Sequence, residues 1–229
     1  MRALAVLLAA GQGTRLGHEV PKALVRLRGR TLLEWSADAL ARCPEVAAIQ
    51  IVVPPGFERE SSGDARFLPP IAGGARRQDS VARGLAAGMA ARPDLDWVLV
   101  HDAARCLVEP GDASTVLRAA QATGAALPVV PVSDTPKWLA ETGGRVERTL
   151  ERARLGFAQT PQAFRSQVLR EALDKAERDG FEGTDCASLV ERLGVEVRVC
   201  AGRVDNFKVT HADDLARAEA LLAARGGSS

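Results

Sequence analysis

Apolar runs of strand type and amphipathic segments of helical period alternate along this chain from end to end, and that alternation leaves few architectures open. Parallel strands need a covering crossover between them, so a chain patterned this way builds a sheet with helices packed against it. The candidate strands are Ala3–Ala9, Ala48–Val53, Trp97–Val100, Ala125–Val130 and Val195–Cys200. The candidate helices are Thr31–Arg42, Gln78–Ala91, Ala113–Thr123, Ser166–Arg178, Thr184–Leu193 and Ala212–Ala224. The expected fold class is α/β, a mostly parallel twisted sheet with helices on both faces. With 229 residues, 46% of them hydrophobic, one core and a single domain over residues 1–229 are expected.

The stretch from about Pro131 to Ala153 breaks the rhythm. It holds Pro131, Pro136 and the pair Gly143-Gly144 among polar residues, and its flanks can pair as a hairpin around the glycines. It is expected to leave the domain as an arm. A hairpin of that size has little core of its own, so it needs the domain body or a partner subunit to pack on.

The segment Leu7-Leu8-Ala9-Ala10-Gly11-Gln12-Gly13-Thr14-Arg15-Leu16-Gly17, followed by Pro21-Lys22, carries the strongest functional signal. A strand opens onto a glycine-rich loop whose backbone N–H groups stay uncovered, and two cations follow, which is a grip for phosphate. The spacing is G-x-G-x-x-x-G, and the next strand ends at Val53-Pro54-Pro55 without a ribose-binding carboxylate, so an NAD-dependent oxidoreductase is disfavoured. The loop is not a Walker A motif either, because no Gly-Lys-Ser/Thr follows. A net charge of +1 and 4% aromatic residues argue against a broad nucleic-acid surface. No stretch is long enough to span a membrane. Cys43, Cys106, Cys186 and Cys200 are scattered without metal-ligand spacing, which suits a reducing, cytoplasmic setting. Met1 to Ala10 shares the basic tip and short apolar run of a secretory signal, but it ends in the glycine loop and suits a buried strand.

Four later segments follow the loop in order: Gly73-Gly74 with Arg77 and Ser80, Val100-His101-Asp102-Ala103-Ala104-Arg105, Thr160-Pro161-Gln162, and Asp205-Asn206-Phe207-Lys208-Val209-Thr210. The loop alone resembles that of nucleotidyltransferases. Together, and over essentially the whole chain, the segments resemble the 2-C-methyl-D-erythritol 4-phosphate cytidylyltransferases; the ribitol 5-phosphate cytidylyltransferases are similar almost as well. The resemblance implies a Rossmann-like sheet with a β-arm used in dimerisation. It also implies transfer of a cytidylyl group from CTP to a small phosphorylated polyol, in non-mevalonate isoprenoid precursor synthesis.

On that resemblance, Arg15, Lys22 and Lys208 are the cations expected to meet the reacting phosphates, and Ala10, Gly11, Gly13, Thr14, Gly74, Arg77, Ser80 and Asp102 to bind the nucleotide. The Gly73-Gly74 segment and the Ala10-Gly11 backbone would read cytosine. Asp102 falls past the carboxyl end of the strand Trp97–Val100, where open α/β sheets hold ligands. A carboxylate facing a triphosphate is repulsive without a divalent cation between them, so Mg2+, or another such as Mn2+, is implied, with Asp102 and secondarily Asp205 as ligands. Arg105, Thr135, Arg152, Thr160 and Thr184 would bind the acceptor, the arm residues reaching across a homodimer; Arg152 thereby joins the catalytic set. His101 is read as structural, because a phosphate oxygen is already ionised at neutral pH and needs no base. A nucleotide-sensing module without chemistry is the alternative from another class; the presence of Arg15, Lys22, Asp102 and Lys208 together weighs against it. Two departures from the family's pattern are Cys106, where a proline is expected, and Cys186, where an acidic residue is usual. Cys106 lies close enough in sequence to the expected site to raise the question of thiol reactivity.

Overall fold

A strand that is apolar at every position can rest only where both faces of a sheet are covered, and Ala-Leu-Ala-Val-Leu-Leu from Ala3 to Leu8 takes that central place. The computed structural model describes residues 1–11, 20–57 and 63–226. Along them run β1 (Ala3–Leu8), β2 (Arg26–Leu27), β3 (Arg30–Thr31), α1 (Leu32–Ala41), β4 (Val46–Val53), β5 (Ile71–Ala72), α2 (Arg77–Ala91), β6 (Trp97–Asp102) and α3 (Pro110–Ala120). There follow β7 (Ala125–Pro131), β8 (Lys137–Leu139), β9 (Val146–Thr149), β10 (Gly156–Ala158), β11 (Gln162–Arg165), α4 (Ser166–Arg178), α5 (Cys186–Glu191), β12 (Arg198–Ala201) and α6 (Ala212–Gly226).

The main sheet has the order β10-β7-β11-β6-β1-β4-β5, with β12 also on β7. Strands β5, β4, β1 and β6 run parallel, β11 lies antiparallel between β6 and β7, and β12 is parallel to β7. The chain goes from β1 through α1 to β4 on one side, then through α2 back to β6 on the other. This reversal opens a crevice beyond the carboxyl ends of β1 and β6.

Period-2 alternation sorts the core into two layers. Ala3, Ala5 and Leu7 face α1 and α3 with Ile49, Ile51 and Leu99. Leu4 and Val6 face α2, α4 and α5 with Val52, Val98, Val100 and Phe164. A third cluster, Leu27, Leu32, Cys106, Leu107, Val209 and Ala218, seats α6. Among the described residues no helix is long and apolar enough to cross a membrane.

Several boundaries differ from the expected ones for local reasons. Helix α3 starts at Pro110, not Ala113, because proline's fixed φ suits the first helical position and Asp112 accepts the Glu109 N–H at 2.8 Å. The segment expected as Thr184–Leu193 becomes the shorter α5, and its N-cap is Asp185, whose carboxylate accepts the Ser188 N–H at 2.9 Å. Strand β6 runs on to Asp102, so this residue ends the strand and does not lie past it. Strand β11 was not expected at all. The hairpin expected within 131–153 is present as β8 and β9, antiparallel, with Gly143 and Gly144 at φ of 72° and 70° in the turn.

Helix α2 lies on the sheet through its glycines. A Cβ on Gly84 would stand 2.6 Å from Val6 Cγ1 and 2.8 Å from Val52 Cγ2, both on central strands. Gly84→Ala therefore sets a helix-propensity gain of about 1 kcal/mol against overpacking of about 1–3 kcal/mol. We expect a net loss of stability, read as a lower midpoint in urea unfolding; a midpoint raised by the substitution would contradict this packing.

Candidate active site

The crevice at the strand reversal is lined by Leu8 to Gly11 from the end of β1, Lys22 and Ala23, Gly74 to Arg77 and Ser80 at the start of α2, Asp102 at the end of β6 and Ala104 after it, and Lys208. Nucleotide and phosphate candidates distant in sequence thus meet in one cleft. Gly13, Thr14 and Arg15 lie outside the described residues.

Among the described residues Asp102 is the carboxylate that lines the cleft, and two cations hold it. Arg77 donates from Nε at 3.2 Å and Nη2 at 2.9 Å to Oδ1, while Lys208 Nζ donates at 2.7 Å to Oδ2. Burial alone would raise its pKa; the two cations overcome that and hold the carboxyl well below the usual carboxylate range. For Arg77 burial works to lower the pKa, and Asp102 with Cys186 raises it beyond the ordinary value. Lys22 is buried, and its Nζ donates to Thr210 Oγ1 at 3.4 Å.

The two glycines before α2 have a packing role as well. A Cβ on Gly73 would lie 2.5 Å from Ala10 Cβ, and one on Gly74 2.3 Å from Asp79 Cβ. The Gly74 N–H donates to Ser80 Oγ at 3.0 Å and the Gly73 N–H to the Val53 carbonyl at 2.8 Å. Those two donors are taken up internally, and the cleft is lined beside them by Ala10, Gly11 and Ala75.

The acceptor candidates are scattered more widely. Arg105 donates to the carbonyls of Asn206 at 2.9 Å and Ala158 at 3.2 Å, and burial lowers its pKa against the pull of Asp102. Thr160 is buried, with its hydroxyl accepting the Asp102 N–H at 3.1 Å and facing His101 Nδ1 at 3.0 Å. Thr184 is exposed one residue ahead of the α5 cap. Thr135 and Arg152 are exposed at the base of the arm, where Arg152 Nη1 donates to the Ser133 carbonyl at 2.8 Å. Asp205 is half-buried in a turn and does not line the cleft.

Buried amides that were not singled out on functional grounds hold the loops in place. Gln78 donates to the Phe181 carbonyl at 3.0 Å and accepts the Gly183 N–H at 3.0 Å. Gln162 donates to Asp185 at 2.7 Å and accepts the Ala187 N–H at 3.2 Å. The segment that carries Thr184 is thus clamped from both sides. Only position within a motif, for Gln162, could have drawn attention to either. His101 is fully buried with both ring nitrogens engaged, as its structural reading required, and burial holds its pKa at about 4.

Among the described residues no group of three or more His, Cys, Asp or Glu is placed to hold a metal alone. Asp102 lines the cleft with Oδ1 paired to Arg77 and Oδ2 to Lys208, so a divalent cation beside it would take most of its ligands from phosphates and water. Cys106 packs among Leu27, Leu32 and Leu107, away from the cleft, and burial pushes its thiol up to about 12. Its proximity in sequence does not bring it into the lining of the cleft. Cys186 does reach the site's edge, accepting from Arg77 Nη1 at 3.5 Å, yet it is buried and its pKa is raised by desolvation.

A family model described as "IspD: 2-C-methyl-D-erythritol 4-phosphate cytidylyltransferase" matches residues 3–224. The Thermus thermophilus protein of that name is 44% identical over 221 residues, spanning 96% of this chain and 97% of the relative. The bifunctional enzyme IspD/IspF of Bradyrhizobium diazoefficiens is 44% identical over 231 residues, 99% of this chain. The chain spans 57% of the length of that bifunctional relative. The crystal structure of the cytidylyltransferase from Thermus thermophilus superposes with a TM-score of 0.79 at 41% identity, covering 95% of this chain and 97% of that one.

The buried, raised thiols predict how the native protein meets an alkylating reagent. Iodoacetamide at pH 8 should leave Cys106 and Cys186 unmodified until denaturant is added, as read by mass spectrometry of peptides. Rapid native labelling of Cys106 would contradict its placement.

Proposed function

The chain belongs to the IspD family, the 2-C-methyl-D-erythritol 4-phosphate cytidylyltransferases, and from that premise we propose that it transfers the cytidylyl group of CTP to 2-C-methyl-D-erythritol 4-phosphate with release of pyrophosphate. The observation that carries the reading is the convergence of Lys22, Arg77, Lys208 and Asp102 on one cleft that Ala10 and Gly11 also line.

An ionised oxygen of the acceptor phosphate attacks the α-phosphorus of CTP in line, and pyrophosphate leaves. The nucleophile arrives deprotonated, so the chain supplies positioning and charge and no base. Lys22 and Lys208, with Arg15 from the adjoining loop, meet the negative charge that grows on the phosphate oxygens. Lys208 and Arg77 are oriented by Asp102 before any ligand arrives, which avoids reorganisation during the reaction. The Ala10-Gly11 backbone, with Ser80 nearby, forms the floor on which the pyrimidine is read, and its closeness to α2 leaves little room for a second ring. Asp102 would hold Mg2+ or Mn2+, which when bound neutralises part of the triphosphate charge. Arg105 and Thr184 face the acceptor from within one subunit. Arg152 and Thr135, exposed at the base of an arm that bears the half-exposed Trp138 and Val146, complete the site of a second copy in a homodimer. The free cysteines suit a cytoplasmic setting.

The direct test supplies CTP, Mg2+ and each acceptor and follows pyrophosphate. Turnover is expected with 2-C-methyl-D-erythritol 4-phosphate; silence there with turnover of ribitol 5-phosphate would reject the acceptor, and CTP binding without any turnover would reject the chemistry.

Lys22→Ala should lower kcat about a hundredfold to a thousandfold, roughly 3–4 kcal/mol. Arg152→Ala should raise the KM for acceptor while CTP binding by calorimetry holds. Mixing the two impaired variants should restore part of the activity through hybrid dimers with one intact site, once subunit exchange has been verified by native mass spectrometry. Absence of rescue with exchange proven would place Arg152 in its own subunit's site.

A further inference from the structure

Two residues that the proposed chemistry leaves without a catalytic step, His101 and Thr160, sit beneath the cleft in an unbroken run of hydrogen bonds. The Asp102 N–H donates to Thr160 Oγ1 at 3.1 Å, Thr160 Oγ1 lies 3.0 Å from His101 Nδ1, and His101 Nε2 lies 3.3 Å from the Arg105 carbonyl. A carbonyl only accepts, so Nε2 carries the proton. With Nε2 protonated in a neutral ring, Nδ1 is bare and accepts from the Thr160 hydroxyl, which itself accepts from Asp102. Each partner is used in the one sense available to it.

The run closes on itself through the segment that carries Lys208. Arg105 Nη1 donates to the Asn206 carbonyl at 2.9 Å, and Asn206 Nδ2 donates to the Thr160 carbonyl at 2.9 Å. Beside this ring the Val209 N–H donates to the Ala104 carbonyl at 2.8 Å. His101, Thr160 and Asn206 are 0%, 4% and 1% exposed, so breaking any link strands a buried polar group.

We propose that His101 is a positioning residue that holds the two ends of the Asp102–Arg105 loop in place: through Thr160 it fixes the residue that orients Lys208 and Arg77, and through the Arg105 carbonyl it fixes the guanidinium that meets the acceptor. This rests on the cytidylyltransferase reading for the names of the ligands, and on hydrogen-bond geometry for the rest. Its two arms can be cut separately. The side-chain amide of His101→Asn reaches the place of Nδ1, so it keeps the Thr160 arm and releases Arg105. The amide of His101→Gln reaches the place of Nε2, so it keeps the Arg105 arm and releases Thr160 and the Asp102 amide.

The expected outcome is a split. His101→Asn should raise the acceptor KM about tenfold with CTP affinity by calorimetry unchanged, and His101→Gln should lower kcat about tenfold with the acceptor KM held, the size of one lost buried hydrogen bond. Nitrogen-15 NMR of the histidine-labelled wild type at pH 7 should show His101 as the neutral Nε2–H tautomer. Equal losses in both variants that track their thermal midpoints, or folded variants with unaltered kinetics, would overturn the proposal, as would the Nδ1–H tautomer or a charged ring. Should the wild type turn over no acceptor, the activity reading fails by itself, and the tautomer with CTP binding by the two variants still decides the role of His101.

Discussion

One carboxylate between two cations, at the end of a central strand, is the interaction on which the site depends. Asp102 is nearly out of water, and an unpaired charge there would cost several kcal/mol. Arg77 and Lys208 offset that cost by contacts of 2.9 and 2.7 Å, which fixes two flexible cationic side chains at the mouth of the cleft. Each cation comes from a different part of the chain, one at the start of α2 and the other in the segment after β12. The pairing therefore reports correct assembly of the whole sheet, and a cation-lined cleft exists only when that assembly is complete.

The layers around it serve the same placement. Alternating side chains of β1 anchor α1 and α3 on one face and α2 with α4 on the other, so the ends of β1, β4 and β6 come level at one edge. Glycines at 84 and 88 let α2 descend onto β1 and β4, which brings Arg77 and Ser80 over the end of β1. Loops beyond the strand ends carry few apolar side chains, and buried amides do the anchoring there. Gln78 and Gln162 each tie segments together with paired donor and acceptor bonds, and Asn206 links the Lys208 segment to Thr160 through its side-chain N–H. Such bonds trade desolvation for a fixed loop position.

Much of this was legible without coordinates. The strand and helix alternation carried the fold class because period-2 and 3.6-residue patterns are local properties of the chain. The hairpin around Gly143-Gly144 was legible because both turn residues sit at positive φ, a region that glycine enters without steric cost. Strand β11 was not, since four residues in a Thr-Pro-Gln context have no pattern of their own; their strand character comes from neighbours β6 and β7. The role of Thr160 was unreadable for the same reason. Its hydroxyl finds Asp102 and His101 about sixty residues away in sequence, and nothing within its own segment announces that.

Sequence alone determined that a glycine-rich segment with basic residues follows a buried first strand, that basic and acidic residues recur in a family's order, and that a polar hairpin interrupts the sheet. These follow from composition and spacing, which act over a few residues. Which charges face one another, that Cys106 is sealed in an apolar cluster, that Asp185 and not Thr184 caps α5, and that Asp205 stays out of the cleft were decided by tertiary packing alone. The reason is that pairing, burial and hydrogen-bond satisfaction are set by which segments the sheet brings into contact, and that information is spread over the whole chain.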